Sequence, residues 1–458
     1  MIEGTLARAC AEVDGRLQGA DAAFHGISTD SRRVQPRELF FALRGPSFDG
    51  ADFVPQAAAA GAAGAVVARP VTADLPVIEV DDTRRALGAL AAAWRRRMPA
   101  RVIGLTGTNG KTTLKEMIAS CLGTSAPTLA TRGNLNNDVG VPLMLAELED
   151  THRYAVIEMG ANHPGEIAWL RSIVAPDIAV ITNAGPGHLE GFGTVAGVAR
   201  AKGELLEGEP RPQCAVLNAD DPHLGLWRTL AADVPVRTFG FGDDADVRAL
   251  DVVTGPGGTD FVLAADGWRR PVSLPLAGRH NARLAAAAAA AVLAAGLGPD
   301  AIVEGLARVA PVSGRLAARR GIAGCTLYDD TYNANPASVA AAAELLGSAP
   351  GERWFVLGDM GELGPEGARL HRRTGEAIAA AGVDRLFATG PLSKHAVEAF
   401  GDDAAWFESV EALSAALVDE IATSRRARET TVLVKGSRAM RMERVVQALE
   451  ENAAGRGN

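Results

Sequence analysis

The chain has 458 residues and a formal net charge of −9, with 47% hydrophobic and 22% charged residues. This composition is typical of a globular protein of about three domains, and the negative charge argues against a nucleic-acid binder, whose surface would be basic. The four cysteines have no metal-ligand spacing, and the N-terminus lacks the pattern of a signal peptide. The longest apolar stretch, 284–297, is too short to span a membrane. We therefore expect a cytoplasmic protein without membrane insertion.

The pattern of strands and helices divides the chain into three predicted domains. Residues 1–98 predict a small α/β domain, and the basic stretch 95–99 at its end is interpreted as a solvated, hinge-like linker. Over 99–312, continuous apolar strands alternate with helices, which predicts a doubly wound, mainly parallel sheet with a β excursion at 234–275. A second alternation over 313–458 predicts a Rossmann-like domain, although no Gly-x-Gly-x-x-Gly follows its first strand. The predicted fold class is therefore α/β with three domains.

A glycine-rich loop follows the first strand of the central domain. Residues 106–113 read Thr-Gly-Thr-Asn-Gly-Lys-Thr-Thr, directly after an apolar run and before a helical stretch. Loop amides at a helix N-terminus, together with Lys111, would form a phosphate cradle, and Thr112 could bind the Mg²⁺ of a nucleotide. Leu105 occupies the position of the first glycine of the strict pattern, so this is a shorter P-loop-like form that begins at Gly107. An ordinary tight turn would give no packing reason for the lysine and the two threonines.

Polar residues also follow later strands of the central domain, where ligands of open α/β sheets bind. Glu158 ends a buried strand and suits a hard cation on nucleotide phosphates, although a helix-capping role is the alternative. His188 follows a third strand, and metal-ligand and structural roles are equally compatible with that position. Lys202 by itself is typical of a solvated helix lysine.

Three further loops are rich in groups that can bind a polar ligand. The loop 133–140 has three asparagines in four residues, a set of donors and acceptors that suits a sugar or peptide, with a plain turn as the alternative. The loop 329–336 ends the first strand of the last domain, and 435–438 ends that domain's last strand, where Lys435 could meet an anion.

Together these motifs resemble the Mur ligase family, the ADP-forming amide ligases of peptidoglycan precursor synthesis, along essentially the whole chain. The elements shared with the family are 106–113, Glu158, His188, Lys202, 278–281 and 313–315. Five segments are most similar to the member that joins D-alanyl-D-alanine to UDP-N-acetylmuramoyl-tripeptide; they are 133–142, 158–167, 329–336, 357–364 and 434–438. The resemblance implies an acyl-phosphate intermediate and a last domain that closes over the central one. We expect a monomer whose partners are those two substrates.

The resemblance also implies roles for individual residues. The expected catalytic residues are Lys111, Glu158, His188 and Lys202. The expected ATP-binding residues are Gly107, Thr108, Asn109, Gly110, Lys111, Thr112, Thr113, His280, Asn281, Arg315 and Asp330. Two Mg²⁺ ions are expected, with Thr112, Glu158 and His188 as protein ligands, and Lys202 is expected to be carbamylated. The expected substrate-binding residues are Ser31, Asn134, Asn136, Asn137, Asn333, Asn335, Lys435 and Ser437.

Two positions depart from the family pattern. Leu284 stands where relatives often have a second asparagine, three residues after Asn281, which bears on the adenine contacts. Gly187 stands where the amino-acid-adding relatives usually have an aspartate before the metal-binding histidine, which fits the dipeptide-adding member better.

Several other functions were weighed against this interpretation. A sibling ligase that adds the third amino acid, or a folate polyglutamate ligase, is disfavoured by the loops at 134–137 and 329–336. A P-loop GTPase or kinase-like switch would need an Asn-Lys-x-Asp type base reader, which the sequence lacks. A non-catalytic UDP-sugar-binding relative is disfavoured by the presence of all four expected catalytic residues.

Overall fold

The structure is a computed structural model, which describes residues 1–255 and 257–450. The described residues form helices around four sheets of two, five, six and nine strands, in which parallel pairing predominates. The predicted α/β class is therefore confirmed. Within the described ranges, no helix combines the length and the apolar character needed to cross a membrane.

The N-terminal region contains seven short strands and three helices. The strands are β1 Glu3–Thr5, β2 Arg16–Gln18, β3 Ala23–His25, β4 Ile27–Ser28, β5 Leu39–Phe41, β6 Gly64–Val67 and β7 Val77–Glu79. The helices are α1 Leu6–Glu12, α2 Val54–Ala59 and α3 Thr83–Arg97. Strands β1 and β3 pair with each other, and the other five form a sheet in the order β2-β7-β6-β5-β4.

The interpretation of the stretch 95–99 as a solvated linker is wrong for its three arginines, although Met98 and Pro99 do lie between α3 and the next strand. The arginines are residues 95–97. These residues form the last turn of α3, a helix of 15 residues whose N-terminus is capped by the side chain of Asp82. The Arg95 side chain is only 11% exposed and lies 3.0 Å from the carboxylate of Asp177 in the central region. Cations are favourable at a helix C-terminus, and the neighbouring Trp94 is buried. The arginines therefore end a packed helix that joins two regions.

The central region contains nine strands and eight helices. The strands are β8 Arg101–Thr106, β9 Thr128–Ala130, β10 Tyr154–Glu158, β11 Ile178–Ile181, β12 Cys214–Asn218, β13 Val236–Gly240, β14 Val247–Gly255, β15 Gly258–Ala265 and β16 Trp268–Leu274. The helices are α4 Lys111–Gly123, α5 Gly140–Ala146, α6 Glu166–Val174, α7 Leu189–Phe192, α8 Val195–Gly203, α9 Leu224–Ala231, α10 Arg279–Ala294 and α11 Pro299–Ala307. All nine strands form one sheet in the order β16-β15-β14-β13-β12-β11-β8-β10-β9. The predicted β excursion is thus a continuation of the main sheet.

The strand order places β8 between β10 and β11, and both neighbours are parallel to it. Leu105 pairs with Glu158 on one side, and Thr106 pairs with Ile181 on the other. Chain connections leave β8 in both directions, which makes this a topological switch point, where open α/β sheets bind ligands. The loops that follow the three strands therefore meet at one edge.

The C-terminal region contains six strands and five helices. The strands are β17 Ala317–Arg320, β18 Thr326–Asp330, β19 Glu352–Gly358, β20 Arg385–Thr389, β21 Ala404–Phe407 and β22 Thr430–Lys435. The helices are α12 Pro336–Gly347, α13 Gly367–Ala380, α14 Lys394–Phe400, α15 Val410–Thr423 and α16 Glu443–Leu449. The sheet order is β17-β18-β22-β19-β20-β21, in which only β17 is antiparallel to its neighbour. The sequence patterns indicated the four strands β18, β19, β20 and β22, but neither edge strand.

The helix that begins in the glycine-rich loop, α4, packs tightly between α10 and α11. Seven consecutive alanines of α10 are fully buried, so the backbones approach closely at this face. A Cβ atom on Gly305 of α11 would lie 2.3 Å from the Cα atom of Cys121 in α4. The absence of a side chain at Gly305 therefore helps to fix the position of α4.

We predict opposite effects for two Gly→Ala substitutions within helices. Gly305→Ala forces α11 away from α4, so the free energy of unfolding should fall by about 1–3 kcal/mol. Gly225→Ala in α9 is the matched control, since a Cβ there meets nothing within 4 Å, and it should raise stability by about 0.5–1 kcal/mol. Urea denaturation measures both. Equal effects of the two substitutions would contradict the close packing of α4 and α11.

Candidate active site

A cavity of about 950 Å³ lies between the carboxyl edge of the central sheet and the C-terminal region. Residues of all three regions line it, including Arg84 and Arg85 of α3. Most of the site residues predicted from sequence are brought together in its wall; they are Thr108, Asn109, Gly110, Lys111, Thr113, Asn136, Asn137, Glu158, His188, His280, Asn281, Arg315, Asp330, Asn333, Asn335 and Lys435.

Three predicted substrate-binding residues lie in other surroundings. The Ser31 hydroxyl donates to Gln56 at 2.9 Å in the N-terminal region. Asn134 is exposed to solvent, and the backbone N–H of Ser437 donates to the carbonyl of Asp359 at 3.0 Å. Their roles in substrate binding stay predictions.

The glycine-rich loop has the backbone shape of a phosphate cradle. Gly107 has φ of 147°, and a Cβ there would lie 1.9 Å from the Thr182 hydroxyl. Gly110 has φ of 80° and directly precedes α4, so the loop amides lead into a helix N-terminus. The Lys111 ammonium donates to the carbonyl of Gly107 at 2.8 Å and lies over the loop. Burial lowers the pKa of Lys111, and an anion in the loop would favour its charged form.

Two residues after β11 support this loop, a role that was not predicted from the sequence. The Asn183 Oδ1 atom accepts from the N–H of Asn109 at 3.0 Å, and its Nδ2 donates to the Asn109 carbonyl at 3.0 Å. The Thr182 hydroxyl donates to the same carbonyl at 2.8 Å. The position of Asn183 just beyond a buried strand, the same signal that identified Glu158, could have indicated its role.

Glu158 is a buried carboxylate with only one of its two oxygens hydrogen-bonded. Its side chain is almost completely enclosed, since the residue is 2% exposed. The Asn136 Nδ2 atom donates to Oε1 at 2.8 Å, and the Glu158 N–H donates to the Thr131 hydroxyl at 2.9 Å. The other oxygen, Oε2, has no hydrogen-bond partner among the described residues. An unpaired buried carboxylate oxygen is costly, and a cation would satisfy it.

The residues around Glu158 fit a Mg²⁺ ion that is bound mainly by nucleotide and water. No group of three His, Cys, Asp or Glu side chains converges in the described ranges. Mg²⁺ is often held by one or two carboxylates together with phosphates and water. The open oxygen of Glu158 beside a phosphate loop, with the buried Thr112 at the start of α4, supplies such a partial set.

His188 makes a contact between regions that the sequence did not reveal. It has φ of 53°, in the left-handed region, and directly precedes α7. Its Nδ1 atom lies 2.6 Å from the carboxylate of Glu362 in the C-terminal region. This close contact with His188 lowers the pKa of Glu362. A predicted metal ligand is thus also a docking point for the C-terminal region.

Lys202 is buried in α8, contrary to the solvated position that its sequence context alone indicated. It is 1% exposed, and its ammonium donates to the carbonyl of Ala161 at 3.4 Å. Burial, and then the positive charge of Lys111, lowers the pKa of Lys202 to about 7. Because Ala161 lines the cavity, Lys202 lies directly behind the cavity wall with a large neutral fraction at neutral pH.

The expected adenine side of the site is formed by the start of α10. Burial lowers the pKa of His280 to about 4, so this imidazole is neutral at physiological pH. The Asn281 amide donates to the carbonyl of Ala277 at 2.7 Å. Leu284 packs on the phosphate loop, since a Cβ on Gly110 would lie 2.8 Å from its Cδ2 atom. Leu284, which departs from the family pattern, therefore packs against the phosphate loop.

The C-terminal wall contains a buried ion pair. Asp330 and Lys435 are paired in register at the ends of β18 and β22, with 2.6 Å between carboxylate and ammonium. The ammonium also donates to the Asn333 carbonyl at 2.9 Å, so Lys435 is held by protein groups. The other Asp330 oxygen accepts from the N–H of Leu316 at 3.2 Å, next to Arg315. The pair thus fixes the segment that presents Arg315 to the cavity.

The site combines a phosphate cradle, a half-satisfied carboxylate and cations from two regions in one cleft. This arrangement suits transfer of a phosphoryl group from a nucleotide to a second bound substrate, which needs alignment and charge neutralisation. The fold and the site therefore define a nucleotide-dependent α/β enzyme whose cleft lies between its regions.

Comparison with known proteins identifies the family. Three family profiles match: the Mur ligase family catalytic domain over 23–95, the Mur ligase middle domain over 105–292 and the Mur ligase glutamate ligase domain over 314–438. The UDP-N-acetylmuramoyl-tripeptide--D-alanyl-D-alanine ligase of Escherichia coli is 44% identical, covering 99% of both chains. The chain belongs to the Mur ligase family.

Two solved structures show the same architecture. MurF from Acinetobacter baumannii superposes with a TM-score of 0.93 at 38% identity and covers 98% of both chains. MurF ligase from Thermotoga maritima, solved in complex with ADP, has a TM-score of 0.83 at 28% identity, covering 93% of this chain and 96% of that one.

We predict that Asn136→Ala weakens metal binding at Glu158. Without the amide donor the carboxylate is no longer held in one orientation, and loss of such a supporting hydrogen bond typically lowers metal affinity about 10–100-fold. Titration of Mn²⁺ in the presence of ADP, followed by electron paramagnetic resonance, measures the affinity. Asn134→Ala, in the same loop but exposed, should leave it unchanged. Unaltered metal affinity in Asn136→Ala, with a raised KM for the UDP-linked substrate, would show that Asn136 binds substrate directly.

Proposed function

We propose that the chain joins D-alanyl-D-alanine to UDP-N-acetylmuramoyl-tripeptide, forming ADP and phosphate, in peptidoglycan precursor synthesis. The observation that carries this proposal is the cleft itself, in which the phosphate loop, Glu158 and His188 meet the C-terminal wall. The relatives named for this reaction match nearly the full length of the chain, and the ADP complex of a related structure supports the use of ATP. The long Asn-rich loop at 133–140, which holds Glu158, belongs to the segments most similar to this member of the family.

The reaction begins with phosphoryl transfer. The terminal carboxylate of the tripeptide attacks the γ-phosphorus of ATP, and the bond from that phosphorus to the β-phosphate bridging oxygen breaks to release ADP. The loop amides and Lys111 hold the phosphates in line, and Arg315 approaches them from the C-terminal wall. The protein's overall charge of −9 disfavours binding of an anionic nucleotide, and the positive charge of Lys111 offsets this repulsion locally.

The second step forms the amide bond. The amine of D-alanyl-D-alanine attacks the acyl carbon, and phosphate leaves with the former carboxylate oxygen. A peptide α-amino group has a pKa of about 7.7–8.0, so an appreciable neutral fraction exists at neutral pH and no strong base is needed. The acyl phosphate must be protected from water, and the contact between Asn109 and Asn335 joins the two walls of the cleft around it.

Two Mg²⁺ ions are proposed to accompany ATP and the acyl phosphate. When bound, they would neutralise charge on the transferred phosphoryl group. The open Oε2 atom of Glu158 and the hydroxyl of Thr112 would hold one ion. His188 would contribute to the second, after exchanging its contact with Glu362.

Carbamylation of Lys202 is proposed because its surroundings favour the reaction. Only a neutral amine can attack CO₂, and a pKa of about 7 leaves such an amine available at neutral pH. The attack gives a carbamate and releases one proton. The product is an anion near the positive charge of Lys111, so the substitution removes a repulsion that burial makes costly.

We further propose domain limits of 1–98, 99–312 and 313–458, which the three matched family profiles support. Free thiols at all four cysteines and nucleotide substrates favour a cytoplasmic location. A monomeric state stays a prediction.

The ligase activity is tested by following phosphate release from ATP and Mg²⁺. We expect release only when both UDP-N-acetylmuramoyl-tripeptide and D-alanyl-D-alanine are present, with a matching amount of the pentapeptide product. Lys111→Ala should lower turnover by orders of magnitude, because it removes the phosphate-facing charge. Release that ignores the dipeptide but responds to another amine would assign a sibling activity instead.

We predict that Lys202→Ala is inactive and partly restored by formate or acetate. A small carboxylate can enter the space left by the side chain and replace the anion of the carbamate. Lys111→Ala is the matched control, because a carboxylate cannot replace a lost cation, and it should not respond. In the parent enzyme at limiting CO₂, activity should rise as the pH increases through about 7, as the Lys202 amine becomes neutral. Absence of rescue together with a flat pH profile would argue against a carbamate.

A further inference from the structure

Two asparagines far apart in sequence form a reciprocal amide pair across the cleft. The Asn335 Nδ2 atom donates to Asn109 Oδ1 at 2.7 Å, and the Asn109 Nδ2 atom donates to Asn335 Oδ1 at 3.3 Å. Asn109 lies at the centre of the phosphate loop, and Asn335 is the N-cap residue of α12 in the C-terminal region. The phosphate loop is therefore joined by side-chain hydrogen bonds to the region that closes the cleft.

On the central side, the backbone of Asn109 is already held by Thr182 and Asn183. Its N–H and its carbonyl both have partners there, so its side chain is left to extend toward the C-terminal region. The amide pair therefore supplies the side-chain hydrogen bonds of Asn109, whose backbone is already held by the central region.

On the C-terminal side, Asn335 has a second task. Its Oδ1 atom accepts from the Ser338 N–H at 2.9 Å, and the Asn335 N–H donates to the Ser338 hydroxyl at 3.0 Å, which forms a capping box at the start of α12. The cap fixes the rotamer of Asn335, so its amide is presented to Asn109 in one orientation. The capped N-terminus of α12 thus contacts a phosphate loop whose backbone is also held by hydrogen bonds.

The loop before His188 packs closely against both partners. A Cβ atom on Gly187 would lie 2.9 Å from the Thr108 methyl group and 3.5 Å from the Asn335 Nδ2 atom. The lack of a side chain at Gly187 therefore lets the phosphate loop and the end of α12 approach each other. An aspartate at this position would crowd the same space.

We propose that Asn335 is a positioning residue that couples docking of the C-terminal region to the shape of the phosphate loop. Through Asn109 it stabilises the loop conformation that holds the phosphates, so ATP binding and cleft closure favour each other. This inference rests on the proposed function only in taking the loop as the phosphate site of ATP. Asn335 acts through Asn109 and does not need to contact the substrates.

The two tasks of Asn335 can be separated by substitution. Asn335→Ser keeps a good N-cap residue, but the shorter side chain cannot reach Asn109. Ser338→Ala is the matched control, because it removes the hydroxyl of the capping box and leaves the Asn335 amide in place. Thermal unfolding of both variants checks that α12 and the fold are retained.

The first measurement is hydrogen exchange of peptides that cover residues 106–113. The proposal predicts about tenfold faster exchange in Asn335→Ser, since two hydrogen bonds to the loop are lost, and parent-like exchange in Ser338→Ala. Calorimetry with ADP should show a similar loss of affinity only in Asn335→Ser. The proposal is overturned if Asn335→Ser stays within twofold of the parent, or if Ser338→Ala has the same effect.

A double-mutant cycle tests whether the effect passes through Asn109. If it does, Asn335→Ser has no further effect on loop exchange or ADP affinity once Asn109 is alanine. Additive effects would overturn the coupling. In the ligase assay the KM for ATP should rise about tenfold, while the KM for the UDP-linked substrate stays unchanged. Hydrogen exchange and ADP binding can be measured without any ligation reaction. A failed ligase assay would therefore count against the proposed function, whereas exchange and ADP affinity would still decide whether Asn335 positions the phosphate loop.

Discussion

The position of β8 between β10 and β11 is the constraint on which the site depends. Parallel pairing on both sides brings the loop after β8 beside Glu158 and Asn183, which lie at the ends of the neighbouring strands. The close packing of α4 against α10 and α11 then fixes the helix that starts at Lys111. The phosphate loop, the buried carboxylate of Glu158 and the Asn183 amide that supports the loop are brought together by one strand order.

Several charged groups of the cleft lack an ion-pair partner of opposite charge among the described residues, and bound ligands could supply it. One carboxylate oxygen of Glu158 accepts from Asn136, so only the other oxygen is available to a cation. Lys111 and Lys202 are like charges close enough for one to lower the pKa of the other. The proposed conversion of Lys202 to an anion and the binding of phosphates beside Lys111 would both relieve this repulsion. An acidic protein can thereby hold an anionic nucleotide through local, buried charges.

Much of this fold could be predicted from local sequence because the central strands are short, continuously apolar runs. In this way Glu158 was correctly placed at the end of a buried strand, and the loop 106–113 was correctly placed after the first strand of the central region. These polar strand ends indicated the site. The segment 95–97 was misinterpreted because charge pattern alone does not reveal that Arg95 pairs with Asp177 of another region. The edge strand β17 ends in two arginines, and β21 is an apolar run of only four residues, so neither gave a strong signal.

The contacts that organise the site could not be predicted, since they join residues remote in sequence. The amide pair of Asn109 and Asn335 spans 226 positions, and the bond from Asn136 to Glu158 depends on how a loop folds back on a strand end. Lys435 was expected to meet an anion, but its nearest anion is the buried carboxylate of Asp330. Residue type indicated that these side chains were functional, and only the tertiary structure shows which groups they contact.

The central claim is that the cleft activates a substrate carboxylate by phosphorylation. The most direct test labels both oxygens of the tripeptide's terminal carboxylate with ¹⁸O and analyses the released phosphate by mass spectrometry. The account predicts that each phosphate carries one ¹⁸O atom, because the oxygen that attacks phosphorus leaves with it when the amide forms. Phosphate without the label, formed together with the amide product, would contradict an acyl-phosphate intermediate.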